Sequence, residues 1–143
     1  MTKTGAQDEQ IAKTRQQILK SLRRFEASVK KTAELQVNPA QLSDDDLEAW
    51  EGLMSRFART VDLFVSKLLR LKIVKHEPGF RGSTRDFLNI AEKLGFVDSA
   101  EKWLELKELR NRQAHDYEDE DLSGLFEAIR SAAPAVLGIV KFL

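Results

Sequence analysis

The sequence predicts an all-α protein, a single antiparallel bundle of about five helices. Three observations lead there. Proline (3) and glycine (7) are scarce among the 143 residues. Apolar residues recur at three-, four- and seven-residue steps along most of the chain, the period of a helix with one buried stripe. No stretch alternates apolar and polar residues in the manner of a half-buried strand. The length suits one domain with a proper hydrophobic core, and the sequence reads as a frayed N-terminus over residues 1–7 followed by one domain over 8–143.

The first helix, about Asp8 to Leu35, carries Ile11, Ile18, Leu22, Phe25 and Val29 as a narrow apolar stripe. Its other face bears Lys13, Lys20, Arg23, Arg24, Lys30 and Lys31. That face reads either as a solvated surface or as a patch touching an RNA backbone. Val37-Asn38-Pro39 breaks the helix. Ser43 then caps a second helix whose first turn holds Asp44, Asp45 and Asp46. From Leu47 and Trp50 through Phe57, Val61 and Phe64 to Leu69, its apolar stripe is wide enough for a central helix with neighbours on both sides. The run Lys72 to Gly79 stops it, and His76 reads as a plain loop or C-terminal histidine.

Ser83 and Asp86 stand in capping-box spacing at the start of a third, shorter helix. Phe87, Ile90, Ala91 and Leu94 give its buried stripe, and Gly95 ends it. Asp98-Ser99 caps a fourth helix, placed over Ala100 to Tyr117. On it Ala100, Trp103, Leu104, Leu106, Leu109 and Ala114 form one broad apolar arc, with Arg110 near the middle and Tyr117 almost directly below it. The acids Asp116, Glu118, Asp119, Glu120 and Asp121 belong at a helix N-terminus, so they mark a boundary. The fifth helix, about Glu120 to Phe142, buries Leu122, Leu125, Phe126, Ile129, Val136, Leu137 and Val140. Pro134 is expected to kink or split it.

Composition removes several classes of function. Lys+Arg and Asp+Glu are equal at 23 each, so no global positive field recruits nucleic acid and any RNA contact must be a local patch. Without cysteine there are no disulfides and no thiolate metal sites. Two histidines far apart make a histidine-rich metal site unexpected. No signal peptide is readable in the polar start, and the longest nearly apolar run, Ala132 to Val140, is too short for a bilayer. The expectation is a soluble, cytoplasmic protein with no metal, no cofactor and no membrane partner.

The chemistry concentrates in Arg110-Asn111-Arg112-Gln113-Ala114-His115-Asp116-Tyr117. A charge on a core-facing stripe is costly unless it is paired or used. Arg110 and His115 are separated by about 140° on an ideal helix. They converge only if the helix ends near His115, or if a second copy related by a two-fold axis supplies part of the site. The ingredients suit RNA cleavage. A histidine near neutrality moves the 2'-hydroxyl or leaving-group proton, and a guanidinium fork holds the phosphodiester and its transition state. The plainer alternative pairs Arg110 with Glu105, Asp116 or an acid on another helix, and leaves His115 to the helix dipole.

Arg-Asn-x-x-x-His-x-Tyr at the end of a late helix resembles the signature of the HEPN superfamily, specifically the HepT-like toxins and the related nucleotidyltransferase substrate-binding proteins. Phe80 through Phe87, then Gly95-Phe96-Val97-Asp98, then Trp103-Leu104-Glu105 also read like that family's C-terminal half, so the similarity spans roughly residues 50 to 130. The resemblance implies a bundle that dimerises through its motif helices and acts as a metal-independent endoribonuclease toxin. Arg110 and His115 would then be the catalytic pair and Asn111 their support, with Arg23, Arg24 and Arg112 available to the RNA backbone. It further implies a small nucleotidyltransferase antitoxin that transfers AMP to Tyr117, where an added anion would block phosphate binding. Some proteins of this kind serve only as binding partners, so a non-catalytic substrate- or nucleotide-binding subunit is the alternative.

Overall fold

The core is organised on one rod that runs through the middle of the chain. The computed structural model describes residues 3–113 and 119–143. Its elements are α1 (Lys3–Thr32), α2 (Asp44–Val61), a π-helical segment (Asp62–Leu69), α3 (Arg70–His76), α4 (Thr84–Lys93), α5 (Ala100–Arg112) and α6 (Asp119–Leu137), with short 3-10 turns at Pro39–Gln41 and Gly138–Phe142. α2, the π segment and α3 follow without a break, so the described residues form five helices and no strand.

Side-chain pairs give the directions. Asp8 meets Lys75, Gln17 meets Lys67, Ser21 meets Thr60, and the Arg24 carbonyl meets Arg56. The numbers rise on α1 as they fall along the rod, so the two are antiparallel. The same holds for α5, where Trp103 meets Phe64, Lys107 meets Asp62 and Gln113 meets Met54.

The helix ends follow local chemistry. Ser43 Oγ accepts from the Asp46 amide at 3.1 Å, and three aspartates occupy the first turn of α2. Ser83 and Asp86 form a complete capping box, with both bonds at 3.1 Å. Gly95 takes φ +78 while the Phe96 amide donates to the Ala91 carbonyl and the Gly95 amide to that of Glu92, the paired bonds of a Schellman stop. These positions agree with the sequence reading.

Elsewhere the structure differs. α1 begins at Lys3 and ends at Thr32, against the predicted Asp8 to Leu35. Its early turns are tied down by the Asp8–Lys75 pair and by buried Ile11. At its other end Arg130 of α6 donates to the Leu35 carbonyl at 2.9 Å, which holds the chain as it leaves the helix. Of the kink or split expected at Pro134, the split does not occur: α6 continues to Leu137. Pro134 is exposed, so the hydrogen bond it removes lies on the solvent side of the helix. Val140, predicted to be buried, is 57% exposed, and Ile139 is buried in its place. The tighter 3-10 turn from Gly138 rotates the stripe by the difference between the two helical periods.

The core is aromatic at its centre. Trp50 stacks on Phe126 with centroids 4.8 Å apart and planes 6° apart, and its indole donates to the Gln36 carbonyl at 2.8 Å. Trp103 lies 4.8 Å from Phe64. Such pairs contribute about 0.5–1.5 kcal/mol beyond area burial. The α1–α2 seam is different, because half of it is hydroxylic. Thr14, Ser21, Ser28 and Thr32 are buried on α1, interleaved with Ile11, Ile18 and Phe25 at heptad spacing. Ser21 and Thr60 share a 2.7 Å hydrogen bond, and Arg56 donates to Ser28 at 2.9 Å. Each buried hydroxyl is thus satisfied across the seam or by the preceding turn.

Candidate functional site

α5 brings Arg110 to the rod in its last turn, next to the first residue of the π segment. The guanidinium meets Asp62 side-on: Nε lies 3.0 Å from both carboxylate oxygens and Nη2 lies 2.9 Å from Oδ2. Lys107, one turn earlier on α5, reaches Oδ1 of the same carboxylate at 3.2 Å and Ser66 Oγ at 3.2 Å. Of the partners the sequence reading left open for Arg110, an acid on another helix is present in Asp62, while Asp116 lies outside the described residues.

Asp62 is partly buried, which by itself would raise its pKa. Hydrogen bonds from Arg110 and then Lys107 outweigh that and hold the carboxyl below the usual carboxylate range. The cluster of two cations and one carboxylate keeps one net positive charge. Side-chain exposure is 27% for Arg110 and 36% for Asp62, so water and small solutes reach the pair.

An open pocket of about 590 Å³ lies over this cluster, lined among others by Met54, Ala58, Arg59, Asp62, Arg110 and Gln113. Gln113, at the C-cap of α5, donates to the Met54 carbonyl at 3.1 Å and so pins the end of the helix to the rod. Its own Oε1 is buried and meets no donor among the described residues.

The predicted motif helix therefore ends earlier than expected. α5 stops at Arg112 instead of running to Tyr117. Ala114, His115, Asp116 and Tyr117 lie outside the described residues. Asn111 and Arg112 are exposed and do not line the pocket. Arg23 and Arg24 are exposed on α1 and do not line the pocket that holds Arg110. Among the described residues no group of three His, Cys, Asp or Glu could hold a metal ion, and no helix is long and apolar enough to cross a membrane.

Asp62, Lys107 and Gln113 were missed in the sequence. One signal was present: Asp62 is the only acid between Glu51 and Glu77, set in the apolar run of the central helix. A lone acid on one buried stripe and a lone arginine on another are natural partners. The π segment that starts at Asp62 had no local signal. Single π turns inside α-helices occur often at functional sites.

Comparison of the chain with protein-family models, with curated proteins and with solved structures gives no match.

Proposed function

We propose that this protein is a metal-independent endoribonuclease toxin of the HEPN kind, acting as a two-fold homodimer. The observation that carries the reading is the presentation of Arg110. Its guanidinium stands in an open pocket at the exit of α5, oriented by Asp62, whose carboxylate Lys107 also holds, and the chain reaches His115 five residues later. α5, which carries Arg110, ends two residues later at Arg112.

In the proposed reaction the 2'-hydroxyl of a ribose attacks the adjacent phosphorus. The bond from phosphorus to the 5'-oxygen of the next nucleotide breaks, leaving a 2',3'-cyclic phosphate and a 5'-hydroxyl. One proton leaves the 2'-oxygen and one reaches the 5'-oxygen, transfers suited to His115 and its symmetry mate. Arg110 stabilises the charge that develops on the phosphoryl oxygens, with Asn111 in support. The step needs neither metal nor cofactor. In this reading a small nucleotidyltransferase acts as antitoxin and places AMP on Tyr117, which puts a bulky anion where the substrate phosphate must bind.

A second reading has its own observation. The Nε edge of Arg110 is already closed on a carboxylate, as expected for an arginine that serves structure. The protein would then be a non-catalytic helical partner of such a nucleotidyltransferase. RNA cleavage by the purified chain in EDTA, wild type beside His115→Ala, separates the two. Cleavage by the wild type alone, with both proteins folded by circular dichroism, supports the ribonuclease. Absence of cleavage by an unmodified wild type, checked by mass spectrometry, favours the binding partner.

A further inference from the structure

A second pocket lies where the first half of α1 passes the end of α3, with Phe96, just after α4, on its third side. Asp8 and Arg15 face it from α1, two turns apart and so on one side of that helix. Lys72, Lys75 and His76 face it from α3. Three cations and an imidazole thus share the site with one carboxylate, and that carboxylate is already paired with Lys75. The Nε of Arg15 is shut off from solvent and meets no acceptor among the described residues. Among the described residues Lys72 reaches only the Phe142 carbonyl, at 3.3 Å, and the face of the Phe96 ring, at 4.8 Å.

Burial, and then the positive charge of Arg15, hold the Lys72 ammonium below its ordinary range. Lys75 has its countercharge in Asp8, whereas Arg15 and Lys72 stand close enough to repel and neither meets a carboxylate among the described residues. Nearness to the end of the central rod explains Lys75 and His76, which lie in the last turn of α3 and offset its dipole. It does not explain Arg15, which comes from a different helix. A phosphoryl group supplies the missing countercharge and several strong acceptors at once.

We propose that this pocket is an anion site that takes a phosphorylated small molecule. Its volume, about 700 Å³, exceeds that of a lone phosphate and falls among small-molecule pockets, roughly 300–1,000 Å³. A concave site on one bundle end fits a compact ligand better than an extended RNA strand. It shares no lining residue with the Arg110 pocket, so the inference does not rest on the ribonuclease reading.

The test is calorimetric titration of the full chain at low salt with pyrophosphate and with ATP. The expected result is saturable binding of at least one of them by the wild type. Arg15→Met and Lys72→Met each weaken it by roughly tenfold or more, whereas Lys93→Met, an exposed cation outside the pocket, leaves it unchanged. Without ligand, both pocket variants are expected to unfold at or above the wild-type temperature, since each removes a repulsive charge. The proposal is overturned if neither compound binds, or if Lys93→Met loses binding equally. It is also overturned if a short single-stranded RNA binds through Arg15 and Lys72 while both small compounds fail. If one pocket variant does not fold, the other carries the comparison. If both lose stability, the cations serve the fold and the proposal fails.

Discussion

Asp62 and Arg110, 48 positions apart in the chain, meet with Nε 3.0 Å from each carboxylate oxygen. The contact ties the start of the π segment to the last turn of α5. It therefore fixes where the helix that carries the motif arginine ends relative to the central rod. Asp62→Asn keeps the shape but removes the charge from a partly exposed pair. We expect a loss of about 1–2 kcal/mol, read from urea unfolding. Under the ribonuclease reading the same change lowers kcat by about tenfold, some 1.4 kcal/mol, with KM little altered. An unaltered stability would show that the pair is solvent-screened and does not hold α5.

The same carboxyl gives a pH dependence with a definite sign. Its folded-state pKa lies below the ordinary 3.8. The unfolded chain thus binds a proton first as the solution is acidified, and the contribution is complete above that value. It is lost as pH falls through the lower folded pKa. The difference in stability between wild type and Asp62→Asn is expected to shrink across that acid window. A difference that stays constant down to the acid limit would rule out this assignment.

Lys72 carries the opposite kind of shift. Burial and Arg15 lower its pKa from the ordinary 10.5, so the charged form is disfavoured in the folded state. Between the folded value and 10.5 the unfolded chain binds more protons, and stability rises with pH. The wild type is expected to gain on Lys72→Met as the solution is made alkaline through this range. A parallel course of the two proteins would contradict it.

Two glycines are expected to respond to alanine with opposite signs. Gly95 holds φ +78, and nothing stands within 4 Å of an added Cβ, so the cost of Gly95→Ala is one of backbone conformation alone. It is about 1–2 kcal/mol. Gly124 lies inside α6, exposed and equally uncrowded, and Gly124→Ala is expected to stabilise by about 0.5–1 kcal/mol. Thermal unfolding of both variants checks the pair.

Trp50 joins α2, α6 and the chain after α1 through its stack on Phe126, the Arg130 guanidinium 5.2 Å from its ring and its bond to Gln36. Trp50→Phe removes the indole donor and part of the packed area. We expect a loss of about 1–3 kcal/mol with helix content unchanged by circular dichroism. A loss of helix content in the folded baseline would mean that Trp50 sets secondary structure and not only packing.

The all-helical class, the five rods and their caps were legible in the sequence because each rests on neighbours three or four positions away. Ser43 with Asp46, Ser83 with Asp86, and Gly95 after Leu94 need nothing from the rest of the chain. Arg110 was legible as a charge on a buried stripe. Its partner was not, since Asp62 meets it only once two helices have packed. The buried hydroxyls of α1 escaped for a related reason: Ser21 reads as a surface residue until Thr60 stands opposite it. Val140 kept the right period for an α-helix and lost its place because the chain tightens at Gly138. The helices and the ends that carry a capping residue are local decisions made by the sequence itself, whereas α1 and α5 stop where contacts from other helices hold the chain. Which charges and hydroxyls became buried was decided by the tertiary structure, because packing removes them from water and a buried polar group escapes a penalty only when it has a hydrogen-bond partner, for Arg110 and Ser21 a distant one.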